Sequence, residues 1–126
     1  MTSAHVTLST HVLDATTGRP AAGLQVRLEH RGQDGWSLAY DGLTGADGRL
    51  RLAGGTAGQE LEPGHASGFE PGVYRITFAS GGYFAERGTA SFYPEISVAF
   101  EVSSPDEHYH VPLLLSPFAY STYRGS

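Results

Sequence analysis

His108 and His110 are separated by one residue, so in an extended segment both imidazoles point to the same side. Two rings spaced this way suit a metal ion. Catalytic zinc normally wants three protein ligands and an open position, and His11 could supply the third. The spacing alone is a weak signal, because two-residue matches are common. His11 and His110 stand out for another reason: each sits inside a strongly β-forming run where threonine or a charge would serve as well. His5, His30 and His65 read as ordinary surface histidines. Arg49 follows an Asp47-Gly48 turn and, taken alone, reads first as a solvated charge. The basic residues are eight arginines and no lysine, a set whose planar donor forks suit recognition of a planar anion.

These groups must be positioned by strands. The chain has 126 residues, one domain's worth, and 1–126 is read as a single unit. Its 17 glycines and 7 prolines punctuate short runs rich in Val, Leu, Ile, Phe and Tyr, which is an all-β pattern. Strands are expected over Val6–Leu13, Leu24–His30, Trp36–Thr44, Arg49–Leu52, Val73–Ala79, Ile96–Val102, His108–Leu115 and Phe118–Arg124. Arg31-Gly32-Gln33-Asp34-Gly35 is a hairpin signal, and Asp47-Gly48 marks a second turn. Gly81–Arg87 is expected to form a short helical connection. Residues 53–72 hold six glycines and two prolines without periodicity and read as a long surface loop. About eight short strands imply a two-sheet β-sandwich.

Alternation then assigns the faces. Val6, Leu8 and Val12 share one side of the first strand, and His5, Thr7, Ser9 and His11 the other. Tyr109, Val111, Leu113 and Leu115 oppose His108 and His110, and Leu50 and Leu52 oppose Arg49 and Arg51. A polar outer face is the default for a sandwich strand. If the three outer faces adjoin, they gather His11, His110 and Arg49 on one side of a sheet. Phe118, Tyr120 and Tyr123 crowd the last nine residues, and so many aromatics suggest a tail packed on its own sheet or on a partner subunit.

Composition excludes several classes. A formal net charge of −5 argues against a broad nucleic-acid surface. No run approaches the ~20 apolar residues that span a bilayer. The N-terminal residues lack a basic region followed by an apolar run, so no secretory signal is read and a cytoplasmic location is expected. With no cysteine there is no disulfide framework, thiolate nucleophile or cysteine zinc site.

Several segments, in order, resemble the 5-hydroxyisourate hydrolases, the transthyretin-related enzymes of purine catabolism. They are Leu8-Ser9-Thr10-His11-Val12-Leu13-Asp14, Gly18-Arg19-Pro20-Ala21, Asp47-Gly48-Arg49, Phe92-Tyr93-Pro94-Glu95, the run from His108-Tyr109-His110-Val111-Pro112 to Ser116-Pro117, and Tyr120-Ser121-Thr122-Tyr123-Arg124-Gly125-Ser126. The terminal Tyr-Arg-Gly-Ser is the most specific mark. Ala119 stands where the family often has glycine, and the stretch from Gly54 to Gly68 looks longer than usual. The hormone carrier transthyretin shares the fold but looks different at the histidines, the arginine and the tail.

The resemblance implies a transthyretin-like antiparallel sandwich with one short helix. It also implies a homotetramer with active sites between dimers, and hydrolysis of 5-hydroxyisourate without cofactor or metal. His11 and His110 would position and deprotonate water, and Arg49 would stabilise the anionic intermediate. Ser126, Tyr123 and Arg124 would complete the site, so a C-terminal tag is expected to hurt activity more than an N-terminal one. Two other readings stay open: a small-ligand carrier without chemistry, and a metal hydrolase using His11, His108 and His110.

Overall fold

The computed structural model describes residues 7–53, 70–104 and 107–125. Nine strands and one helix lie among them: β1 Thr7–Asp14, β2 Arg19–Pro20, β3 Gln25–Gly32, β4 Gly35–Leu43, β5 Arg49–Ala53, β6 Gly72–Phe78, α1 Ser80–Glu86, β7 Ile96–Val102, β8 His108–Leu115 and β9 Tyr120–Thr122. One sheet runs β2-β1-β8-β9, with β5 also paired to β1, and the other runs β4-β3-β6-β7. Every pairing is antiparallel except β1 with β8, which is parallel. The expected sandwich is therefore present, with one parallel seam, and that seam carries His11 on β1 and both His108 and His110 on β8.

Alternation accounts for the core. Along β1, Leu8, Thr10, Val12 and Asp14 are buried while Thr7, Ser9, His11 and Leu13 are half-buried. From β8 come Tyr109, Val111, Leu113 and Leu115, and from the opposite sheet Val26, Leu28, Ile76 and Phe78. These apolar side chains between the two sheets form a single cluster with Leu24, Leu52, Phe84 and Ile96. Burying each large one contributes about 1.5–3 kcal/mol relative to exposure.

Two buried polar groups on β1 have partners. The Thr10 hydroxyl donates to the Val111 carbonyl at 2.7 Å, fastening β1 to β8. Asp14 accepts from the Thr16 N–H at 2.8 Å and from the Tyr83 hydroxyl at 2.9 Å, which ties the helix to the end of β1. Burial, then the bond and charge of Asp14, push the Tyr83 phenol above its ordinary value, so it stays the donor.

Helix α1 forms despite Gly81 and Gly82 in its first turn. A Cβ on Gly81 would lie 2.7 Å from the Pro94 carbonyl oxygen, and the Gly81 N–H donates to that oxygen at 3.0 Å. The glycine thus permits a close approach that outweighs its poor helix propensity. β9 begins two residues later than expected, because Ser116–Ala119 is a turn in which the Ser116 N–H and hydroxyl both bond the Ala119 carbonyl. Of the tail aromatics, Tyr120 packs edge-on against Tyr93 at 5.2 Å, whereas Phe118 and Tyr123 are 66% and 58% exposed on the single chain.

Candidate active site

The three outer faces adjoin. β1 lies between β5 and β8, so its outward side chains Ser9 and His11 are flanked on both sides, and Thr7 is flanked by β8. His11 stands opposite Arg49 across the β1–β5 ladder, and Ser9 stands opposite Arg51 on that side and His110 on the other. Thr7 faces His108.

Arg49 is placed by its turn. Gly48 has φ +77°, a left-handed conformation, and a Cβ there would lie 2.5 Å from the Val12 carbonyl oxygen. The Gly48 N–H donates to the Gly45 carbonyl, and the Arg49 N–H donates to the Asp47 carboxylate at 3.0 Å. The Asp47 carboxylate is 3.9 Å from the Arg49 Nε, a long and exposed pairing that leaves the guanidinium available. Ser9, Asp47, Arg49, Arg51 and His108 line an open hollow of about 300 Å³ over this part of the sheet.

His110 is held from several sides. Its Nδ1 lies 2.9 Å from Ser9 Oγ. Its backbone carbonyl accepts the Gly125 N–H at 2.8 Å, a bridge that draws the tail alongside β8. Burial first, then electrostatic repulsion by His108, Arg49 and His11, holds the imidazole below its ordinary value, while a hydrogen bond with the Ser9 backbone pulls the other way. His110 is therefore neutral at neutral pH and fit to accept a proton. The His108 and His110 rings are nearly parallel with centroids 6.2 Å apart.

Tyr123 and Arg124 line a second hollow together with His110, Tyr109, Phe100 and Val98. Arg124 places its guanidinium 4.7 Å over the Tyr109 ring and 2.9 Å from the Glu107 carboxylate. The Tyr109 hydroxyl accepts the Ser103 and Ser104 N–H groups, which anchors the base of this hollow. Within one chain, then, His11, Arg49 and His110 share a sheet face, while Tyr123 and Arg124 approach His110 from the tail side. Ser126, His5, His65 and the glycine-rich residues 54–69 lie outside the described residues. Among the described residues no three His, Asp or Glu side chains converge as a metal-ligand group. Ser9 and Gly125 touch His110 and were not singled out from sequence. Ser9 shares the outward side with His11, and Gly125 belongs to the tail motif.

The two-sheet sandwich places the chain in the class of transthyretin-fold proteins. The HIUase/Transthyretin family matches residues 8–125, and the chain belongs to that family. It is 46% identical to a 5-hydroxyisourate hydrolase of Salmonella dublin, over 94% of this chain and 80% of that protein. Among solved structures it is similar to the 5-hydroxyisourate hydrolase of Klebsiella pneumoniae, with a TM-score of 0.76 and 33% identity, covering 95% of this chain and 99% of that one. It is equally similar in shape to transthyretin from Sparus aurata, with a TM-score of 0.77 and 30% identity, covering 94% and 95%. Backbone shape alone does not separate these two neighbours.

Proposed function

We infer that this protein is a hydrolase that opens 5-hydroxyisourate to 2-oxo-4-hydroxy-4-carboxy-5-ureidoimidazoline in urate breakdown. The observation that carries this reading is the register of β1 with its two neighbours. It sets Arg49 opposite His11 and puts a neutral, proton-accepting His110 on the same face. The similarity to named hydrolases supports it.

The chemistry has two requirements. Water is a poor nucleophile at neutral pH, and negative charge develops on the attacked carbonyl oxygen. In this proposal His110, assisted by His11, takes a proton from water, a contribution of typically ~10²–10⁴-fold. Arg49 holds the developing oxyanion with its fixed donors. Tyr123, Arg124 and Ser126 complete the substrate pocket from the tail. No step calls for a cofactor or metal.

The working form in this proposal is a cytoplasmic homotetramer. The exposed Phe92, Phe118 and Tyr123 support self-association, since large aromatics left bare on a single chain mark a surface that a partner covers. Light scattering on the purified protein measures the mass directly.

Ultraviolet absorbance of freshly generated 5-hydroxyisourate tests the activity. An enzyme accelerates the decay above the spontaneous rate and ignores chelator. A carrier binds the compound without accelerating its loss, and a metal hydrolase stops when chelated.

A further inference from the structure

The proposed reaction exports a proton. Water adds to the cyclic amide carbonyl, the carbon–nitrogen bond breaks, and one water proton ends on the departing ureido nitrogen. That nitrogen is not basic at neutral pH, so it takes up no second proton. The product leaves as a carboxylate, so the other water proton, the one His110 takes up, must reach solvent once per turnover. His110, half-buried beneath the tail, needs a route by which to discharge it.

The outer face holds such a route. Ser9 Oγ lies 2.9 Å from His110 Nδ1 and 3.5 Å from His108 Nε2, so one hydroxyl stands between two imidazoles. On the far side of the second ring, His108 Nδ1 is hydrogen-bonded to the Thr7 hydroxyl. The order is therefore imidazole, hydroxyl, imidazole, hydroxyl. His110 is half-buried at one end and His108 is exposed at the other. The parallel register of β1 and β8 creates the order by setting Thr7 opposite His108 and Ser9 opposite His110.

Resting on the hydrolase reading, we propose that Ser9, His108 and Thr7 form a proton relay that connects His110 to solvent. His110 takes the water proton at Nε2 and passes its Nδ1 proton to Ser9 Oγ. Ser9 gives its own hydroxyl proton to His108 Nε2, and His108 releases its Nδ1 proton to Thr7 or to water. Each member gains one proton and loses one, so the count balances with no co-reactant; both imidazoles end as the other tautomer, and exchange of their ring protons with water after product release restores the starting arrangement. The Ser9–His108 separation is the longest link. Closing it requires only a small rotation of an exposed ring. Ser9 and His108 are positioning and relay residues: they act through His110 and touch no substrate in this scheme.

The experiment compares wild type with Ser9→Ala, Ser9→Thr and His108→Ala, each at rising concentrations of free imidazole buffer. Ser9→Ala removes one atom and His108→Ala alters an exposed ring, so the fold is retained, which circular dichroism checks. Ser9→Ala and His108→Ala should each lose about tenfold in kcat with KM little changed, a fraction of the general-base contribution. Added imidazole should restore most of that loss, and Ser9→Thr, which keeps the hydroxyl, should be near wild type. A loss in Ser9→Ala without buffer rescue, or wild-type kcat in His108→Ala, would overturn the relay.

If wild type shows no turnover at all, the hydrolase reading fails first. The relay is then judged by nitrogen-15 histidine spectra. Exchange of the His110 ring proton with water should slow in Ser9→Ala and in His108→Ala. Unchanged exchange in both would contradict the route itself.

Discussion

Gly125 lies against His110 so closely that a Cβ would stand 2.6 Å from His110 Cδ2 and 3.2 Å from Pro112 Cγ. The same glycine donates its N–H to the His110 carbonyl at 2.8 Å. The tail and the central imidazole therefore constrain each other through backbone and ring together. Gly125→Ala must push the ring by several tenths of an ångström. Since misplacement of ~1 Å can cost 10²-fold, kcat should fall about 10- to 100-fold with the melting temperature little changed. Wild-type kcat in this variant would show that the ring position is not critical.

The pH dependence follows from what surrounds His110. Burial first, then electrostatic repulsion by His108, Arg49 and His11, holds its imidazole below the ordinary 6.5, with Arg51 on β5 and Arg124 on the tail nearby. A base that gives up its proton at lower pH stays active at lower pH, so the acid limb of kcat/KM should lie below 6.5. Removing a neighbouring cation lets the proton bind more readily. In Arg49→Gln the His110 titration, followed by histidine NMR, should therefore move up in pH. No shift, or a downward one, would mean that Arg49 does not face the ring.

Arg49→Lys separates charge from shape. The turn fixes the Arg49 backbone, and its side-chain pairing with Asp47 at 3.9 Å is long. If the planar fork holds the oxyanion, lysine should lower kcat/KM by tenfold or more, towards the ~10²–10³ seen when an oxyanion donor is lost. Unchanged turnover would reduce Arg49 to a point charge.

Tyr83→Phe probes the join between helix and sheet. It leaves the 2% exposed Asp14 without the phenolic donor now 2.9 Å away, although the Thr16 N–H remains. Chemical denaturation should show a loss of about 1–3 kcal/mol, the cost of leaving a buried acceptor unsatisfied. Activity should hold, since Asp14 points into the core. A loss below ~0.5 kcal/mol would mean that water replaces the phenol.

Much of this was legible because strands alternate. The outward placement of His11, Arg49, His108 and His110 follows from period-two patterning alone, and strands 96–102 and 108–115 match their expected bounds. Alternation fixes which way a side chain points but not which strand lies beside it, or in which direction. The parallel β1–β8 seam, and with it the Ser9–His110 contact, was therefore not readable from pattern. The short helix was expected despite two glycines at its start; the packing of Gly81 on Pro94 explains the first of them, and nothing in the structure calls for Gly82. Asp14 falls on the core side of β1 by simple counting, yet a carboxylate there makes sense only once Tyr83 is seen to reach it. The two-residue β2 at Arg19–Pro20 was not among the expected strands, because two residues are too few to show any period.

The central claim is that His110 does chemistry on this sheet face. The most direct test compares wild type and His110→Ala in the ultraviolet decay of freshly generated 5-hydroxyisourate, with circular dichroism confirming that both are folded. The account predicts accelerated decay by wild type and a loss of ~10²–10⁴-fold in the variant, the scale of a missing general base. A folded His110→Ala protein that turns over substrate at the wild-type rate would contradict it.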